Sequence, residues 1–305
     1  MRIAFVGAVE GSAQALQAIC AAGHRPVLIV TLPQDQAGAH SDFFDLGPLA
    51  EANAIPLCRA ARTDDEACLA AIRNAAPDLV LIIGWSQLVG AELRALPSLG
   101  VLGFHPSALP RMRGRGVIPW HILTEQRRGG ATLFWIAEGI DDGPVAAQAV
   151  FDINPDHITA RALYDRAVSE MVAMLPPLLD RLRAGDRPAT PQDEAEATIC
   201  ARRRPQDGQI DWTRPAACID RLIRAVGPPY PGAVTRMADG TAVRVSRARL
   251  HPRQGYFIGL PGQVQQVAGN VVTVMCGDGA CIDLLDLNGR APPRHSILGV
   301  CDGVS

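Results

Sequence analysis

A histidine at the end of an apolar run and two aspartates in a glycine-flanked turn are the residues of this 305-residue chain whose types and spacing could move protons. Val101–Phe104 has the composition of a buried strand, which puts His105 at its carboxyl end, ahead of a proline-rich loop that cannot be regular structure. Further along, Asp141 and Asp142 stand in the turn Gly139-Ile140-Asp141-Asp142-Gly143-Pro144 between two strand-like runs. A carboxylate brought to an imidazole can orient it or hold a water in line for proton relay. From spacing alone, a capped turn and an ordinary strand-end histidine account for these residues equally well. Arg113 and Arg115, separated by Gly114, offer two guanidiniums on a flexible loop, suited to a phosphate or carboxylate. Near the N-terminus, Gly7-Ala8-Val9-Glu10-Gly11-Ser12 follows the opening strand, but Val9 replaces the second glycine that a dinucleotide fingerprint requires. Glu10 then faces either solvent or a cationic, amine-bearing substrate at the sheet's carboxyl edge.

The elements that must position these groups alternate. Arg2–Gly7, Val27–Thr31, Leu79–Ile83 and Gly100–Phe104 are short β-branched runs, with helical segments at Ser12–Ala22 and Glu66–Asn74 between them. That alternation predicts an α/β unit with a Rossmann-like, mostly parallel sheet and crossover helices, extended by strands at Thr132–Ala137 and Val145–Val150 and a long helix at Thr159–Arg183. The sequence divides into a catalytic domain over 1–187, a Pro-, Asp- and Ala-rich linker over 188–206, and a β-rich domain over 207–305. In the last, a helix at Pro215–Val226 precedes short strands broken by Gly and Asp, the pattern of a small, OB-like β-barrel.

Composition excludes several classes. With 48% hydrophobic and 20% charged residues the chain is neither disordered nor fibrous, and it has no run of about 20 apolar residues to span a membrane, so a cytoplasmic protein is expected. Its 8 cysteines (Cys20, Cys58, Cys68, Cys200, Cys218, Cys276, Cys281, Cys301) lack Cys-x-x-Cys spacing, read as reduced thiols, and offer no metal site. There is no lysine, which removes Schiff-base chemistry. Residues 1–200 hold 16 Arg against 23 Asp and Glu, while residues 201–305 hold 13 Arg against 8 Asp. The basic tail, with Arg202-Arg203-Arg204, would suit tRNA, yet few aromatics interleave it, so tRNA is not favoured. The sequence carries no reading of oligomeric state.

Taken together, GFHPSALPRMRGRG and IAEGIDDGPV resemble the central signature of the 10-formyltetrahydrofolate-dependent formyltransferases, in the methionyl-tRNA and sugar-nucleotide branch. DGQIDWTRPAACIDRLIRAVGPPYPGAV resembles the opening of that branch's C-terminal domain, so the resemblance covers nearly the whole chain. It implies that His105 and Asp141 are catalytic, and that Gly103 occupies the place of the family's third catalytic residue, an Asn that stabilises the oxyanion. It implies further that Trp85, Ser86, Gln87, Leu88 and Val89, with Glu138, Gly139 and Ile140, line the pocket for 10-formyltetrahydrofolate. Glu10, Arg113 and Arg115 would meet the acceptor, expected to be the amine of an amino sugar nucleotide or of an amino-acid derivative. Methionyl-tRNA as acceptor, a folate binder without transferase activity, and a formyltetrahydrofolate hydrolase are the alternatives. The absent Asn would be replaced by a water in the space beside Gly103, by Arg113 or Arg115, or by the substrate.

Overall fold

The computed structural model describes residues 1–39 and 42–299. Cys301 lies outside the described residues, and the other seven cysteines are free thiols. By internal contacts the chain forms two units. The first comprises 1–117, 128–152 and 164–201; the second comprises 118–127, 153–163 and 202–305. None of the described helices is long and apolar enough to cross a membrane. The expected linker therefore does not run as a free tether: residues as far as 201 pack within the first unit.

In chain order the first part contains β1 (Ile3–Val6), α1 (Glu10–Ala21), β2 (Leu28–Thr31), α2 (Gly47–Ala52), β3 (Leu57–Arg59), α3 (Glu66–Ala75), β4 (Leu79–Ile82), α4 (Ala91–Ala95), β5 (Gly100–His105), β6 (Arg113–Gly114), α5 (Val117–Leu123), β7 (Arg128–Trp135), β8 (Val145–Asp152), α6 (Ala160–Arg183) and β9 (Ile199–Cys200). Seven strands form one sheet in the order β3-β2-β1-β4-β5-β7-β8. Pairing is parallel from β3 to β5, and β7 and β8 join antiparallel. Because side chains alternate along a strand, the two faces of β1 are built from different residues. Ile3 and Phe5 meet Leu16 and Ile19 of α1 and Met171, Leu175 and Leu179 of α6. Ala4 and Val6 share the opposite core with Leu69 and Ile72 of α3 and Leu93 of α4. Burying each large side chain stabilises the fold by about 1.5–3 kcal/mol, and Phe5, Leu81 and Leu102 are fully buried. Both faces being covered, β1 and β4 read as continuous apolar runs.

The second unit holds α7 (Ala216–Val226) and an antiparallel sheet of β10 (Ala233–Arg236), β11 (Ala242–Leu250), β12 (Val264–Ala268), β13 (Val271–Met275) and β14 (Cys281–Asn288). The strand order is β10-β11-β14-β13-β12. A polar cluster is buried in it. Asp283, 2% exposed, accepts from Thr273 Oγ1 at 2.8 Å and Arg249 Nε at 3.2 Å and lies 2.9 Å from His251 Nδ1.

Candidate active site

The sheet's carboxyl edge is where ligands of open α/β sheets bind, and β5 ends there in His105, which is 5% exposed. Its Nε2 lies 2.7 Å from the Met112 carbonyl oxygen. A carbonyl only accepts, so Nε2 bears the proton and Nδ1 is the nitrogen left for proton exchange in the neutral ring. Nδ1 stands 3.5 Å from Oδ2 of Asp141, which also accepts the Gly114 N–H at 2.8 Å. The loop 106–114 thus supplies a partner to each member of the pair. Of the two side chains, Asp141 is the more accessible, at 24% against 7%.

Asp141 reaches His105 because the chain after β7 doubles back before β8. That turn is tight: a Cβ on Gly143 would lie 1.7 Å from the Trp135 carbonyl oxygen, so no other residue fits, and Asp141 itself is left-handed, with φ +50°. Asp142 sits beside it with Oδ1 buried and lacking a hydrogen-bond partner among the described residues. Glu138, Gly139 and Ile140 are exposed at the turn's start.

The loop after β4, next to β5, carries Trp85 to Val89. Trp85 packs on the same core as Ile136, and its buried indole N–H also lacks a partner among the described residues. Gln87 donates to the Ala61 carbonyl at 2.5 Å, the Ser86 carbonyl accepts from Arg115, Val89 is buried, and Leu88 is 74% exposed. Glu10 is the first residue of α1, where a carboxylate complements the helix dipole, two strands from β5 and so about 10 Å along the sheet. Burial, with Asp42 and Glu10 nearby, pushes the Tyr164 hydroxyl well above the usual phenol range, and that oxygen accepts the Gly11 N–H at 2.9 Å.

Two expectations change. Arg113 is not a loop guanidinium awaiting an anion: it is 4% exposed and bonded to Glu194 at 2.6 and 3.0 Å and to Gln192 Oε1 at 2.9 and 3.1 Å. The hydrogen bonds it donates to Glu194 raise its pKa further. Nor does Gly103 face open space. A Cβ there would lie 3.0 Å from both Cγ1 and Cδ1 of Ile136 and 3.2 Å from Phe134 Cε1. Hydrocarbon crowds the first side-chain atom of an Asn at this position.

Gln192, Glu194 and Thr198 were not legible as part of the site, since their segment has the composition of a linker. Met112 and Gly114 act through backbone atoms, which leave no signature in residue type.

The family model for formyl transferases matches residues 1–179, and that for the formyl transferase C-terminal domain matches residues 203–293. The chain belongs to the formyl transferase family. Within that family, methionyl-tRNA formyltransferase of Anaeromyxobacter dehalogenans strain 2CP-1 is 32% identical over 306 residues, covering 100% of this chain and 97% of the relative. Among solved structures, WlaRD, a sugar 3N-formyl transferase crystallised with dTDP and 5-N-formyl-THF, matches with a TM-score of 0.66 at 18% identity, over 93% of this chain and 97% of its own. HypX from Aquifex aeolicus matches with a TM-score of 0.69 at 19% identity, over 95% of this chain; the chain spans 46% of that longer protein. At these identities the two structures establish the fold. Among the described residues of this formyl transferase, no cluster of three or more His, Cys, Asp or Glu side chains could hold a metal ion.

Proposed function

We propose that the chain transfers the formyl group of 10-formyltetrahydrofolate to the primary or hydroxylated amine of a small acceptor, and that the His105–Asp141 pair carries the reaction. The pair at the end of β5, 3.5 Å apart and each anchored by the same loop, is the observation on which this reading rests. The acceptor nitrogen forms a bond to the formyl carbon as the bond from that carbon to N10 of the folate breaks. Asp141, the more exposed partner, accepts the proton that the amine loses. That proton returns to the leaving N10, so the products are a formamide and tetrahydrofolate. His105, its Nε2 committed to the Met112 carbonyl, exchanges a proton through Nδ1 and orients the carboxylate. When protonated at Nδ1 as well, it can offset negative charge on the formyl oxygen.

The donor's pterin needs groups of both polarities, and the edge provides them. The unpartnered indole N–H of Trp85 supplies a donor and Oδ1 of Asp142 an acceptor. Exposed Leu88 and Ile140 supply apolar surface, and Ser86, Gln87, Val89, Glu138 and Gly139 shape the two loops. Arg115 and Glu10 remain on the acceptor side of the proposal, whereas Arg113 has a structural partner set.

A small acceptor is supported by the use of the tail's arginines. Arg221, Arg224 and Arg249 pair with the carboxylates of Glu125, Asp220 and Asp283 in the same unit, which lowers the field available to a polyanion. Methionyl-tRNA is the second reading, supported by full-length similarity to methionyl-tRNA formyltransferases. Donor consumption measured with a nucleotide-linked amino sugar, a hydroxylated ornithine-type amine and charged initiator tRNA separates them. Turnover with an amine alone supports the first reading; turnover confined to the charged tRNA, with salt-sensitive binding, overturns it.

A further inference from the structure

The segment between α6 and β9 packs within the first unit and does more than lead the chain out of it. Gln192 directs both hydrogens of its amide at the turn that carries Asp141: Nε2 donates to the Asp141 carbonyl at 2.8 Å and to the Gly143 carbonyl at 2.7 Å. Its Oε1 accepts from Nε and Nη2 of Arg113. The orientation of that amide is fixed by its partners, because carbonyls only accept and a guanidinium only donates. Glu194, bonded to the same guanidinium, neutralises a charge that is otherwise buried. Three residues thereby form one relay from the segment to the turn.

The same segment also ties down the loop on which the pair depends. Thr198 accepts the Met112 N–H through Oγ1 at 2.8 Å and the Arg113 N–H through its carbonyl at 2.8 Å, and β9 pairs with β6. Met112 and Gly114 are the residues whose carbonyl and amide hold His105 Nε2 and Asp141 Oδ2. Every anchor of the pair named above thus leads back within two bonds to residues 192–200. Asp141 is held at φ +50°, a conformation a non-glycine residue keeps only where its surroundings enforce it.

We infer that Gln192 is a positioning residue, which holds the strained turn so that the Asp141 carboxylate faces His105 and the incoming amine. This rests on the formyl-transfer reading above. Gln192→Glu isolates the role, since a carboxylate of the same shape still pairs with Arg113 but cannot donate to the two carbonyls and is repelled by them. Misplacing a catalytic group by about 1 Å costs on the order of a hundredfold, so kcat is expected to fall by tenfold to a hundredfold in this variant with KM for the donor little changed. A second readout needs no turnover: the ring 15N signals of His105, assigned by their loss in His105→Ala, should move in Gln192→Glu at constant pH. If the wild-type protein transfers formyl and Gln192→Glu keeps its kcat and leaves those signals in place, the inference is wrong. If the wild-type protein has no activity with any acceptor, the functional reading fails, and displaced or unmoved His105 signals alone decide whether Gln192 positions the pair.

Discussion

Filling Gly103 gives a sharp test of how this site manages without the family's Asn. An Asn at 103 places its Cβ 3.0 Å from Ile136 and 3.2 Å from Phe134, closer than ordinary van der Waals contact, before its amide is accommodated. Overpacking of this kind costs about 1–3 kcal/mol. A restored oxyanion donor is worth about 3 kcal/mol, near a hundredfold in rate, only if the amide reaches its position. Gly103→Asn alone is therefore expected to lose stability and to gain no rate. Combining it with Ile136→Ala removes the closer of the two contacts, and this double variant should exceed the Ile136→Ala single variant in kcat by tenfold to a hundredfold. Chemical denaturation gives the stability, and the absorbance change on conversion of the folate donor gives the rate. Two results would refute the reasoning: Gly103→Asn alone raising kcat without loss of stability, or the double variant turning over no faster than Ile136→Ala.

Other outcomes follow from the remaining buried groups. In the second unit, Asp283→Ala strands the Thr273 hydroxyl and His251 and is expected to destabilise by about 3 kcal/mol in urea unfolding. Burial raises the Asp283 pKa, but the hydrogen bonds from His251, Thr273 and Arg249 outweigh it, and the carboxyl lies below its ordinary value. A depressed folded pKa gives stability that is complete above the unfolded value, about pH 4, and is lost as pH falls through the lower folded one. Thermal stability of wild type should therefore decline on acidification below that point more steeply than that of Asp283→Asn; parallel declines would show that Asp283 does not contribute. Burial pushes the thiols of Cys68 and Cys276 up to about 12, so a thiol-reactive dye at pH 8 should leave both unmodified until the protein unfolds. Labelling of either in the native protein as fast as that of half-buried Cys20 would contradict their placement.

The parallel core was legible because strands covered on both faces leave apolar runs, and β1, β2, β4 and β5 all read correctly to within a residue or two at each end. The start of α1 at Glu10 rather than Ser12 reflects the tight turn at Gly7, where a Cβ would lie 2.6 Å from Ser12. Strand β3, with three residues and one exposed, was too short to leave a period. The placement of His105 at a strand end could be read from Val101–Phe104, and its meeting with Asp141 could not, since it depends on a chain reversal set by backbone contacts at Gly143. Arg113 was misread because loop composition says nothing about what folds over the loop. Its partners Gln192 and Glu194 lie in a stretch whose prolines and acidic residues suggested a tether, and whose role depends on hydrogen bonds to sites 51 and 79 residues away.

The central claim is that Asp141, held against His105, takes the proton from the attacking amine. Single-turnover formyl transfer by Asp141→Asn, with donor and acceptor both saturating, tests it directly: the amide keeps the shape of the turn but cannot accept the proton. The rate of the chemical step should fall by about 10²–10⁴-fold while donor binding, measured by calorimetry, stays near that of wild type. A variant that transfers formyl at the wild-type rate would place the proton acceptor elsewhere and contradict the account.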